Sequence, residues 1–290
     1  MLPARFEYHR AATIDEALDL LDRHGEDAKI LAGGQSLIPM MKLRFASPGH
    51  LIDINGVAGL AGARDDGGVL KIGALTRHRD VASSDVVRRL HPTIASAAPQ
   101  IADPLVRNLG TIGGSLVHAD PSGDIGSVML ALGATVVARS AKGEREIPIR
   151  EFLKDTFTTT LAPNEILVEI RVPKAGAKSG GTYLKLERKI GDYATVGVAS
   201  FLSLDGGIIG RAGLGLTSVG LINVQATAAE QALVGQAPSK ELFAKAGDLA
   251  AEVARPVSDV RGTADYKRHM VKVYTQRGLA AAAAMAGSSV

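Results

Sequence analysis

The sequence predicts an α+β protein of two domains. Its 290 residues exceed one ordinary domain, at roughly 150 residues each. The stretch "KAGAKSGG", residues 174–181, is rich in Gly, Lys and Ser and has no apolar period, which marks a linker. Beyond it a run of strands gives way to a run of helices, the α+β pattern. The expected division is therefore 1–176 and 177–290.

The elements follow in order. "TIDEALDLLDRHGE", residues 13–26, is an amphipathic helix. Thr13 caps it, Glu16 completes a capping box, Ile14, Ala17, Leu18 and Leu21 form the apolar stripe, and Gly25 stops it. "AKILAGG" is a short strand ending in glycines, and "HLIDING", residues 50–56, is a strand ending in a turn. "GGVLKIGALT", residues 67–76, alternates after a glycine turn and reads as a strand. "HRDVASSDVVRRLHPTIASAAPQI" is helical in two pieces, with a proline near the start of the second. "DIGSVMLALGA" is a buried helix, and "TVVARSAKGEREIPIREF" is a hairpin turning near Ala141 to Gly143. "EILVEIRVP", residues 165–173, is a strand.

After the linker, "TYLKLERK" and "ATVGVASFLSLDGGIIGRAGLGLTSV" form strands and hairpins. "GRAGLG", residues 210–215, reads as a hairpin turn between apolar strands. "TAAEQALVG" and "SKELFAKAGDLAAEVA" are helical. A terminal basic helix places Tyr266, Met270, Val273 and Tyr274 at helical spacing, and its Ala-rich end "GLAAAAAMAG" reads as frayed.

Composition excludes several function classes. There is no cysteine, hence no disulfide framework, thiol nucleophile, cysteine zinc site or iron–sulfur cluster within the chain. The net charge is only +3 and no block of five like charges occurs, so no nucleic-acid arm is expected. The N-terminus lacks the charged-then-apolar design of a secretory signal. No apolar stretch reaches the ~20 residues of a membrane span. The expectation is a cytoplasmic protein.

Two glycine-bearing segments carry the chemistry: "KILAGGQSLIPMMKLR", residues 29–44, and "NLGTIGGSLVHADPSGD", residues 108–124. Glycine allows positive φ and close approach of a ligand to the main chain. Successive amides can then converge on an anion such as phosphate, and Ser36, Thr111 and Ser115 add hydroxyls. Two such loops suggest a two-phosphate ligand gripped from both sides. The alternative is a pair of tight turns packed against strands. Neither the dinucleotide fingerprint nor a P-loop is present.

With "AGGQS" followed by "LIPMMKLR", and "TIGGS" followed by "ADPSGD", the chain resembles the FAD-binding medium subunits of the molybdenum hydroxylases. The segments "KLERKIGDYATVGVA" and "DVRGTADYKRHMVKVY" extend the resemblance over essentially the whole chain. It implies a vanillyl-alcohol-oxidase (PCMH) type FAD-binding fold of two α/β subdomains, about 1–56 and 57–176. A C-terminal domain of antiparallel sheet and helices would follow.

It also implies the cofactor residues. Lys29, Ile30, Leu31, Ala32, Gly33, Gly34, Gln35 and Ser36 would form one wall. Thr111, Ile112, Gly113, Gly114 and Ser115 would form the other. Asp124 would receive the adenosine end, Ile101 and Leu161 would supply apolar contacts, Lys185 would contact the cofactor, and Tyr193 would lie near the isoalloxazine. Carbon monoxide dehydrogenases of the family usually carry His where Gln35 stands, so the resemblance does not assign carbon monoxide as substrate.

The implied function is electron transfer. A large molybdopterin-containing subunit hydroxylates substrate, a small 2Fe-2S subunit relays electrons, and the FAD passes them to an external acceptor, within a dimer of heterotrimers. No catalytic acid or base follows for this chain. The seven histidines form no H-E-x-x-H or H-x-x-H pair, so no metal site is expected. "HADPSGD" gathers His118, Asp120, Ser122 and Asp124, but no nucleophile elbow precedes it. The runner-up is a stand-alone FAD oxidase of a small molecule. A third reading is a module that binds a nucleotide diphosphate without turnover.

Overall fold

The computed structural model describes residues 2–288. Three sheets organise it. The first is parallel, with the strand His50–Asp53 between Glu7–Arg10 and Ala28–Leu31. The helix Ile14–His24 covers it, burying Ala17, Leu18 and Leu21. Thr13 caps that helix by accepting from the Glu16 amide at 3.2 Å. Glu16 reaches back one residue beyond the cap, accepting from the Ala12 amide at 2.7 Å. Gly25 ends the helix at φ 55°, where a side chain would be strained.

The second sheet has five antiparallel strands in the order Ala63–Asp65, Val69–Gly73, Ile166–Pro173, Thr135–Ser140, Gly143–Pro148. The strand Ile166–Pro173 returns from a distance to fill the centre. Leu70, Ile72, Val136, Ile170 and Val172 pack there with Ile94, Ile112, Met129 and Phe152 in one core. The helical stretch after Arg77 is three short helices, His78–Ser83, Asp85–Leu90 and Pro92–Ala97, not two. The extra break is at Ser84, whose hydroxyl caps the next helix by accepting from the Val87 amide.

The third sheet is antiparallel, in the order Ser179–Leu186, Val196–Asp205, Ile208–Thr217, Val224–Gln225. Its central strands read as near-continuous apolar runs because both faces are buried. Val198 and Leu202 face the helices Lys240–Val253 and Ala264–Met285. Ala199 and Phe201 face the core of the second sheet.

This packing corrects two expectations. "GRAGLG" lies inside the strand Ile208–Thr217, and the turn is Gly206–Gly207. A Cβ at Gly213 or Gly215 would collide with the carbonyls of Ala131 and Ser127 in the buried helix Asp124–Leu132, so these glycines let helix and sheet approach. The C-terminal alanines do not fray. Leu279, Ala282 and Ala283 are buried, and the core-facing stripe is Lys267, Val271, Thr275 and Gly278. Tyr266 remains exposed, while Met270 and Tyr274 pack at the edge of the core. No helix of the described residues is long and apolar enough to cross a membrane.

Candidate functional site

The two glycine segments meet. The first follows the strand Ala28–Leu31, where the chain leaves the carboxyl end of the parallel sheet, and leads into the helix Leu37–Lys42. The second caps the helix Ile112–His118, with Thr111 Oγ1 accepting from the Gly114 amide at 3.1 Å. A Cβ at Gly33 would strike the Leu109 carbonyl and Gly110 Cα, so the absence of a side chain lets the loops touch. Gly34 adopts φ 72°, a conformation that suits glycine.

Together the loops border a cavity of about 360 Å³, lined by Lys29, Ile30, Ala32, Gly33, Gly34, Gln35, Ser36, Thr111, Gly113, Gly114, Ser115 and Leu161. A second cavity of about 300 Å³ is lined by Ile101, Asp124, Lys185 and Tyr193. Gln35, Ser36, Gly110, Ser115 and His118 line both, so the loops form the shared wall between two compartments. Leu31 and Ile112 line neither. Leu31 belongs to the sheet, opposite Asp53, and Ile112 is fully buried in the core.

The loops are not equivalent. Among the described residues, the amides of Gly33, Gly34, Gln35 and Ser36 have no hydrogen-bond partner. Four successive free amides beside a cavity suit an anion. In the second loop the amides are occupied internally: Ile112 donates to the Thr76 carbonyl at 3.0 Å, Gly113 to Ala74 at 2.9 Å and Ser115 to Thr111 at 3.0 Å. What this loop offers a ligand, among the described residues, is the Ser115 hydroxyl and the one amide left free, that of Thr111.

His78, unnoticed in the sequence, orients that hydroxyl, its Nε2 lying 2.8 Å from Ser115 Oγ. Burial, with a smaller push from Arg107, lowers the His78 pKa to about 4, so the ring is neutral. Its Nδ1 has no partner. The tautomer with Nε2–H donating leaves no buried N–H unpaired and frees the Ser115 O–H to donate into the cavity.

At the far end, Asp124 opens the buried helix and accepts from Tyr183 Oη at 2.6 Å and Lys185 Nζ at 3.0 Å. Burial raises its pKa, opposed chiefly by Lys185. Asp124 and Tyr193 line one and the same cavity. Tyr193 is half-exposed and is held from behind. Arg261 stands over its ring at 5.9 Å and also pairs with Asp192 at 2.9 Å. His118, singled out for its place after the second loop, packs its ring at a tilt against Phe157 at the first cavity, with centroids 5.0 Å apart. Among the described residues, no hydrogen-bonded partner of a hydrolytic triad joins it.

A family model described as the FAD binding domain in molybdopterin dehydrogenase matches residues 4–175, and one described as the CO dehydrogenase flavoprotein C-terminal domain matches residues 181–282. The chain belongs to this family of FAD-binding medium subunits of the molybdenum hydroxylases. Its sequence is 43% identical to the carbon monoxide dehydrogenase medium chain of Hydrogenophaga pseudoflava, over 97% of this chain and 98% of that one. It is 40% identical to the 6-hydroxypseudooxynicotine dehydrogenase complex subunit alpha of Paenarthrobacter nicotinovorans, over 97% and 96%. A solved structure of carbon monoxide dehydrogenase from Hydrogenophaga pseudoflava superposes with a TM-score of 0.96 at 46% identity, covering 98% of this chain and 99% of that one.

The fold is thus the expected PCMH-type FAD-binding fold with a flavoprotein C-terminal domain, and FAD is the cofactor. The residues present fit it: free amides for a diphosphate beside the first cavity and reaching the shared wall at Gln35 and Ser36, and two adjoining compartments with room for ring systems.

Proposed function

We propose that this chain is the electron-transfer subunit of a cytoplasmic molybdenum hydroxylase complex, taking electrons from a 2Fe-2S partner and passing them to an external acceptor. The observation that carries this is the row of free amides from Gly33 to Ser36 at the first cavity, of which Gln35 and Ser36 also face the second. Bound there, FAD supplies a redox centre that exchanges electrons with donors and acceptors. The amides and the Ser115 hydroxyl hold the diphosphate. Ile30, Ala32 and Leu161 give the first cavity apolar walls for the adenine end. Lys185, Asp124, Ile101 and Tyr193 give the second cavity a donor, an acceptor and contact surfaces for the flavin end. Asp124 is thereby assigned to the flavin compartment rather than to adenosine.

Residues 1–176 would carry the cofactor loops, and 177–290 the lid side with Lys185 and Tyr193. No residue is assigned as a proton-transferring catalyst. The chain has no cysteine with which to hold a cluster, so the electrons must come from another chain. Relatives of near-equal identity are named for carbon monoxide and for 6-hydroxypseudooxynicotine, so the oxidised substrate is a property of a molybdopterin-containing partner. Co-expression with a small 2Fe-2S subunit and a large molybdopterin subunit tests the assignment. A heterotrimer, paired into a dimer of trimers, is the expected mass by native mass spectrometry. A chain that stays alone in the presence of both partners contradicts the reading.

A further inference from the structure

We propose that His9, His24 and His50 form a binding site for one Zn²⁺ ion, at the opposite end of the parallel sheet from the cofactor loops. The three rings come from three elements: the strand Glu7–Arg10, the last residue of the helix Ile14–His24, and the first residue of the strand His50–Asp53. Glu7 and His9 share one face of their strand, by its period of two. Glu7 pairs with His50, which brings all three onto the face beneath the helix. The helix then ends with His24 over them.

The ligand nitrogens all lie within 4.8 Å of one another. His9 Nε2 and His50 Nδ1 are 3.0 Å apart, and the His24 ring is stacked on His50 with centroids 3.6 Å apart. Glu7 Oε2 stands 3.6 Å from His50 Nδ1 and 4.0 Å from His9 Nε2, in reach of a fourth position. Tetrahedral Zn²⁺ bound at 2.0–2.1 Å sets its ligand atoms about 3.3 Å apart. The observed spacings bracket that value.

The cluster has no other evident purpose. Among the described residues, the only hydrogen bond made by any of the three rings is the one between His9 and His50. One proton there holds two rings, and the His24 ring makes no hydrogen bond. Lone pairs lie in the ring plane, so a cation accepting one from each ring satisfies all three once His24 turns out of its stack on His50. Imidazoles with a carboxylate and no thiolate suit Zn²⁺ among the common divalent ions. Such an ion would clamp both outer features of this layer, the first strand and the helix end, to the central strand. The strand Ala28–Leu31 separates it from Gly33 by roughly 10 Å or more, so it would not touch the flavin.

The test uses the full FAD-loaded chain, stripped of metal by dialysis against a chelator. Zn²⁺ titrated in competition with a chromophoric chelator should bind with one equivalent per chain. Co²⁺ in its place should give the intense visible bands of a four-coordinate site. His24→Gln and His9→Gln should each weaken binding by at least about tenfold, which matches even outer-shell losses at metal sites. His269→Gln, at an exposed position of the terminal helix, should bind as the parent does. Zn²⁺ should raise Tm in the parent and not in the two site variants, while FAD content stays constant throughout. Binding well below one equivalent in the parent, or equal binding by the parent and both site variants, overturns the proposal.

Discussion

Lys185 Nζ lies 3.0 Å from Asp124 Oδ2, with the two side chains only 1% and 6% exposed. One residue begins the buried helix under the second sheet and the other lies on the first strand of the third sheet, so the pair joins the two halves of the chain at the second cavity. Lys185 also donates to the Gln100 carbonyl at 2.8 Å, and Tyr183 donates to the other Asp124 oxygen. Removing one member of a buried pair costs up to about 3–5 kcal/mol; Glu187 Oε2, 3.4 Å from Lys185 Nζ, still faces the lysine when Asp124 is removed. Asp124→Ala should destabilise by that order in urea unfolding, and the double change Asp124→Ala/Lys185→Met should recover part of it. A single variant within about 1 kcal/mol of the parent would show that the pair does not hold the halves together.

The glycines of the two loops should fail in different ways. Gly33→Ala drives a Cβ into backbone of the second loop, so it should cost both stability, by about 1–3 kcal/mol, and FAD. The Cβ of Gly114 meets only Thr111 Oγ1, at 2.7 Å, and otherwise faces open space. Gly114→Val should therefore lower FAD content sharply, read from the flavin absorbance of the purified protein, with the circular dichroism of the fold retained. Full flavin content in Gly114→Val would remove the second loop from the site.

Ser115 should contribute to FAD affinity through its hydroxyl, and His78 only through Ser115. A hydrogen bond to a charged group is worth about 1.5–3 kcal/mol. Ser115→Ala should thus raise the Kd for FAD by roughly ten- to a hundredfold. His78→Phe should raise it less and leave the flavin spectrum unchanged. Equal affinity of parent and Ser115→Ala would place the diphosphate away from this hydroxyl.

Much of this site was legible in the sequence because its parts are local. Gly33, Gly34, Gln35 and Ser36 announce themselves as a strand-to-helix turn, and Thr111 with Gly114 as a capped helix start. Side-chain period placed Ala17, Leu18 and Leu21 in the core without any knowledge of what they face. What the sequence hid depends on contacts between distant residues. Gly213 and Gly215 look like a turn until the helix carrying Ser127 and Ala131 is laid on them. The terminal helix has two candidate stripes, and only its partner helix selects Lys267 and Val271 over Tyr266 and Val273. His78 and Ser115 are separated by a whole run of helices, and His9, His24 and His50 have no motif spacing because sheet pairing, not helical pitch, assembles them.

Stability should fall on mild acidification. His78 and His91 are both about 1% exposed, and burial lowers the pKa of each to about 4, with Arg107 and Arg211 as lesser causes. Unfolded, each titrates near 6.5. Above that pH neither state binds the proton. Between 6.5 and 4 the unfolded chain binds it and the native chain does not, so stability is lost as pH falls. At pH 5 the loss is on the order of 2 kcal/mol per histidine relative to pH 7.5. The His91 ring makes no hydrogen bond of ordinary geometry, only an approach to the Pro173 backbone, so His91→Leu should fold and remove about half of this slope. An unchanged slope in His91→Leu would contradict the assignment.

Tyr193 should tune the flavin without being needed to hold it. Aromatic stacking contributes about 0.5–1.5 kcal/mol, less than a diphosphate bound by four amides. Tyr193→Ala should retain most FAD while shifting its absorbance and reduction potential. An apoprotein would place the main binding energy at the flavin end instead.

The central claim is that the chain relays electrons and does not itself oxidise organic substrate. The most direct measurement is a turnover assay with dye or quinone as acceptor, comparing the isolated FAD-loaded chain with the complex reconstituted from all three subunits. Aldehydes, aromatic heterocycles and carbon monoxide serve as candidate substrates. Activity appearing only in the complex is the predicted result. Substantial oxidation of any of these substrates by the isolated chain would contradict the account and point to a stand-alone FAD oxidase.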